Sequence, residues 1–140
     1  MIFRGRGIAR GRASGELLVS PEPISFLSGV DPETGIIVEK GHPLEGKDMT
    51  GKVLAFNHGK GSTVGSYIMY ALSRTGHAPA AIINADAEPI IVIGAIMAGI
   101  PMIDSLGISL SSLCPGSMAI VDGDSGELWY DEPSSGCPTK

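Results

Sequence analysis

Apolar runs of a few residues alternate along the chain with loops rich in glycine and proline. Two of these runs are followed by a segment whose apolar residues have the spacing of a helix. The run Val53–Phe56 is too short for a helix and predicts a buried strand. Beyond a polar loop, Ser62 is a suitable N-cap, and apolar residues then recur three or four positions apart until Gly76. This pattern predicts a helix that ends at Gly76.

A second strand and helix follow the first pair. Residues 80–83 are apolar and predict another buried strand, and Pro89 suits the first position of a helix that extends to about Ala98. Gly99 is the predicted end of this helix. Because the helix is apolar nearly all round, we expect it to be buried between layers or beneath a partner.

The other strands are predicted from weaker patterns. Residues 2–19 alternate loosely between apolar and polar positions with glycines interspersed, which we interpret as two strands with bulges or close backbone contacts. The last two strands flank a segment of turn-forming residues at 123–126, which predicts a hairpin. Further strands are expected at 36–39, at 101–103 just before Asp104, at 117–122 and at Glu127–Tyr130.

The order of these elements indicates an α/β fold. Strands come first, two strand–helix units follow, and a hairpin closes the chain. This order fits a layered β/β/α domain, or a small barrel with flanking helices, better than a doubly wound sheet. A chain of 140 residues is one domain by the usual size range. We expect residues 1–132 to form that domain and residues 133–140 to be a disordered tail.

Composition narrows the classes of partner. Hydrophobic residues make up 43% and charged residues 18% of the chain, which argues against disorder. The net charge of −5 argues against bulk binding to nucleic acid or to an anionic membrane. Met1 leads at once into charged residues, and the apolar stretch 89–102 is short and broken by Gly94, Gly99 and Pro101. We therefore expect a cytoplasmic protein without a membrane-spanning helix.

Cysteine and arginine usage raise two further points. Cys114 and Cys137 are too few and too far apart for a zinc site or a self-contained iron–sulfur cluster, which needs about four ligands. We interpret both as free thiols, predict no metal site in this chain, and assign any metal chemistry to a cluster held by another chain. Four arginines lie near the start of the chain: Arg4, Arg6, Arg10 and Arg12. Such a cluster could bind phosphate or an acidic face of a partner, or it could belong to a solvated edge strand.

The polar loop between the first buried strand and the first helix is the candidate binding site. A glycine loop that opens onto a helix N-terminus gathers free backbone N–H groups, a lysine and hydroxyls, which suits an anionic ligand. It is not a P-loop, because the first glycine of that motif would fall on Leu54 and Gly61 stands where Ser or Thr should follow the lysine. An ordinary capped helix is the alternative. The candidate ligand contacts are His58, Gly59, Lys60, Gly61 and Thr63.

Ser62 is the candidate reactive group of this loop. It has no adjacent Asp and no G-x-S-x-G motif, so a nucleophilic hydrolase is poorly supported. The positive end of a helix together with Lys60 favours the deprotonated hydroxyl, which a serine acting as a base requires. Asp86 and Glu88 fit either capping of the second helix or chemistry, and Asp104 fits either a site lining or a turn cap.

Several segments taken together resemble the aconitase X swivel domain. They cover nearly the whole chain and comprise residues 57–67, 78–83, 87–90, 94–96 and 99–104. The resemblance implies an aconitase-like swivelling β/β/α fold and a heterodimer with a large subunit that carries an iron–sulfur cluster, [4Fe–4S]. It also implies a hydro-lyase that removes water from (R)-5-phosphomevalonate, giving trans-anhydromevalonate 5-phosphate on the archaeal mevalonate route to isoprenoids.

In the same resemblance the loop serine, here Ser62, is the base that removes a proton beside the substrate carboxylate, and the partner's iron assists departure of the hydroxyl. Three alternatives stay open. An aconitase X enzyme can act on another hydroxy acid such as a hydroxyproline. The segment from Gly99 and the later hairpin also resemble a phosphohistidine swivel domain, for which His77 is the candidate carrier. A structural lid without catalytic residues is the third.

Overall fold

The computed structural model of the protein describes residues 2–20, 24–25, 29–56, 59–60, 64–86, 89–108, 110, 113–114 and 116–130. Ten strands are distinguished in these residues: β1 (Ile2–Arg4), β2 (Arg6–Ala9), β3 (Arg12–Ser20), β4 (Ile24–Ser25), β5 (Val53–Phe56), β6 (Gly59–Lys60), β7 (Ala81–Asn84), β8 (Met102–Asp104), β9 (Met118–Asp122) and β10 (Glu127–Tyr130). Helix α1 spans Val64–Thr75 and helix α2 spans Pro89–Ala98. None of the helices in this part of the chain has the length and apolarity needed to cross a membrane.

Eight of these strands form one mixed sheet in the order β1–β10–β9–β3–β5–β7–β8–β2. Strands β3, β5, β7 and β8 are parallel to one another, whereas the neighbours toward both ends of the order pair antiparallel. Helix α1 connects β5 to β7, and helix α2 connects β7 to β8. The α/β class and the layered or barrel-like arrangement expected from the sequence are therefore confirmed.

The two ends of the sheet order meet at one residue. Strand β1 pairs with β10 at one end and β2 pairs with β8 at the other, yet only Gly5 separates them. The Gly5 amide donates to the Gly126 carbonyl at 2.8 Å, and a Cβ at Gly5 would collide with the Asp104 carbonyl oxygen. A glycine is required here because main chains from both ends approach it, and the sheet closes toward a barrel.

The central strands are buried on both faces, which explains why they are apolar throughout. On one face, Leu54 and Ile82 pack in a core that includes residues of both helices. On the opposite face, Val53 and Ile83 pack in a second core with the closing hairpin. The helices themselves meet closely at Gly94, where a Cβ would press on the Ser66 main chain at 3.2 Å.

Several boundaries match the sequence prediction. The strand Val53–Phe56, the helix Pro89–Ala98 and the strand Glu127–Tyr130 are as expected. Both predicted helix ends are confirmed, since Gly76 and Gly99 have φ angles of 81° and 70°, in the left-handed region. The single-domain boundary at 132 and the tail at 133–140 stay predictions, because residues 131–140 lie outside the described part of the chain.

Two predictions about strands are wrong. Residues 2–19 hold three strands rather than two, because Gly5 and Gly11 interrupt the pattern, and Gly11 adopts a φ of 120°. Residues 36–39 form isolated bridges only, Ile36 with Asp48 and Ile37 with Val30. The main chain of Ile37 forms hydrogen bonds to the turns that follow. Its carbonyl accepts from the Gly46 amide at 2.7 Å, and its amide donates to the Lys47 carbonyl at 2.9 Å. These local bonds replace an extended ladder.

Candidate active site at the carboxyl ends of the parallel strands

The four parallel strands present their carboxyl ends at one edge of the sheet. Their last residues are Ser20, Phe56, Asn84 and Asp104. Phe56 lies in register with Ser20 on one side and with Asn84 on the other. Ligands of parallel α/β sheets bind at the carboxyl ends of the strands, so this edge is the first place to expect a site.

The glycine loop leaves this edge directly from β5. Within it, Gly59–Lys60 forms strand β6, which pairs in parallel with Ile24–Ser25. The main chain at the centre of the loop is thus held by a neighbouring segment, and α1 begins at Val64. The sequence predicted a polar glycine loop followed by a helix start, and it did not predict the β4–β6 pairing. Ser62, His58, Gly61 and Thr63 lie outside the described residues.

Asn84 ends β7 with a fully buried carboxamide. Its Nδ2 donates to the Phe56 carbonyl at 2.9 Å and to the Ile83 carbonyl at 3.3 Å. Its Oδ1 is buried and has no hydrogen-bond partner. The sequence pattern did not single out this residue. The available signal was a single polar residue at the end of an otherwise apolar strand.

Asp104 ends β8 as a fully buried carboxylate held by an arginine of the neighbouring strand β2. Arg6 donates from Nε to Oδ1 at 2.9 Å and from Nη2 to Oδ2 at 2.7 Å. These hydrogen bonds raise the pKa of the Arg6 guanidinium above its ordinary value. Arg4 pairs with Glu127 at 3.2 Å, so these two arginines of the cluster have partners within the chain. Asp104 therefore anchors Arg6, a role that neither sequence interpretation included.

Removing the guanidinium of Arg6 should destabilise the fold far more than removing that of Arg4. The variant Arg6→Gln leaves the fully buried Asp104 carboxylate without its guanidinium, whereas the Arg4 side chain is 79% exposed. We expect the melting temperature of Arg6→Gln to fall by roughly 5 °C or more and that of Arg4→Gln to change little. Thermal unfolding followed by circular dichroism measures both. Equal melting temperatures for the two variants would contradict this assignment.

A buried histidine lies beside the end of β3. The His42 Nδ1 accepts a hydrogen bond from the Leu44 amide at 3.0 Å, so the proton of the neutral ring is on Nε2. That nitrogen lies 3.5 Å from the Ser20 hydroxyl, and both residues are buried. The sequence pattern did not single out this pair, because a lone histidine in a loop carries no sign of burial. The contact places the His42 ring beside Ser20, the residue that ends β3.

His77, the candidate phosphate carrier, follows the carboxyl end of α1, whose 12 residues span about 18 Å. Its Nδ1 lies 3.3 Å from the Thr50 hydroxyl. A histidine in this position is separated from the strand-end edge by the length of the helix.

The remaining candidates are placed as follows. Asp86 is exposed just beyond β7 and acts electrostatically on Arg6, and Glu88 lies outside the described residues. No three His, Cys, Asp or Glu side chains in the described ranges come together as a metal site. Cys114 is disulfide-bonded, so the free-thiol interpretation is wrong for it, and Cys137 lies outside the described residues.

Comparison with known proteins places this site in a family. The family model described as the aconitase X swivel domain matches residues 2–130. Two proteins described as phosphomevalonate dehydratase small subunit are each 53% identical to this chain. The one from Methanosarcina acetivorans aligns over 94% of this chain and 92% of its own length, and the one from Pyrococcus furiosus over 91% and 94%.

A solved structure supports the same relationship. The crystal structure of Thermococcus kodakaraensis aconitase X in its holo-form superposes with a TM-score of 0.89 at 48% identity, covering 94% of this chain and 99% of that chain. The resemblance drawn from the sequence is thereby confirmed in both sequence and fold. The chain belongs to the aconitase X swivel domain family.

Proposed function

We propose that this chain is the small subunit of a hydro-lyase that removes water from (R)-5-phosphomevalonate to give trans-anhydromevalonate 5-phosphate in the mevalonate pathway. The observation that carries this proposal is the identity of 53% to two proteins described as phosphomevalonate dehydratase small subunit, over more than nine-tenths of each chain. At that level of identity over that share of both chains, a shared reaction is the simplest account.

The chain contributes the base in this proposal. Ser62, as alkoxide, removes the proton from the carbon next to the substrate carboxylate. The described geometry supports this role because the loop departs from the strand-end edge, its centre is held by the β4–β6 pairing, and α1 begins directly after it. The positive end of α1 stabilises negative charge on the serine oxygen. His58, Gly59, Lys60, Gly61 and Thr63 are the proposed contacts to substrate oxygens.

The cofactor in this proposal belongs to the large subunit. A cluster of the [4Fe–4S] type needs a set of thiolate ligands, and Cys114 is already committed to a disulfide. Together with the lack of a metal-ligand cluster among the described residues, this makes the present chain a poor host. When bound in the large subunit, the cluster would supply a Lewis acid for the leaving hydroxyl. The proton transfer remains the task of this chain.

The outer face of α2 supports the presence of a large subunit. The apolar pattern of this helix predicts a position between layers or beneath a partner, and the structure buries only the side that packs on α1 and the sheet. The residues of its outer face are Ile93, Ile96 and Met97, which are 50%, 61% and 40% exposed. A helix without a charged or polar side chain is unusual at a solvent-exposed surface, so we propose that the large subunit covers this face.

Reconstitution tests the proposed function. The chain is co-expressed with the candidate large subunit from the same genome, the complex is purified without oxygen, and 5-phosphomevalonate is supplied. We expect NMR of the reaction mixture to show trans-anhydromevalonate 5-phosphate only when both subunits are present. An iron-loaded complex that leaves 5-phosphomevalonate unchanged would overturn the proposal, and dehydration of a hydroxyproline isomer instead would assign the alternative aconitase X activity.

A further inference from the structure

A cavity of about 660 Å³ lies beside the second half of β3. Its walls are residues 16–19 of that strand and residues of the turn segment 43–48, and Lys52 and Gly116 also line it. All of these residues lie outside the glycine loop, so the proposed reaction does not use the cavity. Its volume falls within the range of ligand-binding clefts, about 300–1,000 Å³, which makes it a candidate for a further binding site.

The neighbours of β3 change along its length. Its first part, Arg12–Glu16, pairs with β9, and its second part, Leu17–Ser20, pairs in parallel with β5 on the other side. The Leu17 amide donates to the Ser117 carbonyl at 2.9 Å, and the Leu17 carbonyl accepts from the Gly116 amide at 2.9 Å. Both main-chain groups of Leu17 are thus directed away from β5.

The next residue with this orientation is Val19, and its main chain faces the cavity. Successive residues of a strand direct their amide and carbonyl to alternate edges, so Leu18 bonds toward β5 and Val19 is directed to the same side as Leu17. Among the described residues, none hydrogen-bonds to Val19 from that side. Val19 is nonetheless only 6% exposed. A main-chain donor and acceptor with little access to water require a partner.

An extended peptide segment is the ligand that fits this edge. One residue of an added antiparallel strand offers both the carbonyl and the amide that Val19 lacks, which is the pairing used in strand addition to a sheet. Pro43 and Leu44 line the opposite wall and offer apolar contact to the side chains of such a segment. Lys47 and Glu16 are exposed lining residues without an ion pair in the described part of the chain, so the segment should carry charges of both signs.

The recessed position of Val19 decides between partners. Two copies of this chain related by a two-fold axis would bring the same recessed edge against itself, where neither copy presents a projecting strand. Contact between the cavity and a different surface of a second copy would add copies without closing. A projecting segment of another chain meets neither restriction, and the large subunit is the chain that the proposed function requires.

We propose that an extended segment of the large subunit inserts into this cavity and pairs with Val19 as an added strand. The inference rests on the proposed function for the existence of the large subunit, and it adds a second contact to the one on α2. In the sheet order β3 is two positions from β7, the strand that α2 follows. The inserted segment must therefore extend from the body of the large subunit to reach the cavity.

Hydrogen exchange tests the pairing without a substrate. In the free chain, the Val19 amide should exchange at least about tenfold faster than the Leu18 amide, which bonds toward β5. Adding the large subunit should slow exchange at Val19 by at least about tenfold. Unchanged exchange at Val19 in a complex that dehydrates 5-phosphomevalonate would overturn the inserted segment alone. Slower exchange in a complex without that activity would support the segment and reject the proposed function, and failure of the two chains to associate would overturn both.

Photo-crosslinking of the assembled complex identifies the occupant. One variant carries p-benzoylphenylalanine in place of Lys47, which lines the cavity, and the matched control carries it in place of Lys40, which is exposed on the same segment but does not line the cavity. We expect position 47 to crosslink to one continuous stretch of the large subunit and position 40 not to reach that stretch. Crosslinks from position 47 to a second copy of this chain, or to no chain, would overturn the proposal.

Discussion

Ser62→Ala is expected to abolish turnover while leaving the fold and the pairing with the large subunit intact. Loss of a general base lowers the rate of proton abstraction by about 10²- to 10⁴-fold. The sequence also predicts Ser62 as the N-cap of α1, and loss of an N-cap costs about 1 kcal/mol of stability. We therefore expect kcat to fall by about 10²- to 10⁴-fold and the melting temperature to fall by only a few degrees.

Anaerobic assays with 5-phosphomevalonate, on complexes of equal iron content, measure this effect. Ser73→Ala is the matched control, because it removes a hydroxyl from the opposite end of the same helix, where Ser73 donates to the Tyr70 carbonyl at 2.7 Å. Its kcat should equal that of the unmodified enzyme. Substantial turnover by Ser62→Ala would remove Ser62 from the mechanism and would leave a structural lid as the better description of this chain.

The sheet centre and the helix ends could be predicted from sequence because each depends on a local physical cause. Strands β5 and β7 are buried on both faces, so each is an uninterrupted apolar run that cannot be a helix at that length. Gly76 and Gly99 adopt the left-handed conformation that favours glycine. Neither inference requires knowledge of a distant residue.

The contacts that define the edge of the site could not be predicted, because they join residues far apart in sequence. Arg6 and Asp104 are 98 positions apart and meet only because the sheet order places β2 beside β8. Gly5 also separates β1 from β2, so neighbouring parts of one loosely alternating stretch of sequence lie at opposite ends of the sheet order. The roles of Ser62 and its neighbours stay predictions, since they lie outside the described residues.

Ile96→Asp is expected to prevent assembly with the large subunit and thereby to abolish activity at low protein concentration. Ile96 is the most exposed residue of the outer face of α2, so a charge there does not disturb this chain on its own. Burying that charge in an apolar contact, together with loss of the isoleucine side chain, should weaken association by at least about 100-fold, or roughly 3 kcal/mol. Calorimetric titration of the purified subunits measures the affinity. An excess of the variant subunit should restore kcat, because the loop is unchanged.

Val38→Asp is the control, since Val38 is 46% exposed on the segment between β4 and β5 and should tolerate the change without effect on affinity. A second exposed apolar surface offers the competing location. Ile2 and Trp129 are cross-strand neighbours on β1 and β10 and are 45% and 41% exposed. The face of α2 is the better candidate, because α2 follows β7 and its amino end lies at the edge from which the Ser62 loop departs. Tight pairing by Ile96→Asp, with loss of pairing by Trp129→Asp, would instead assign docking to the hairpin.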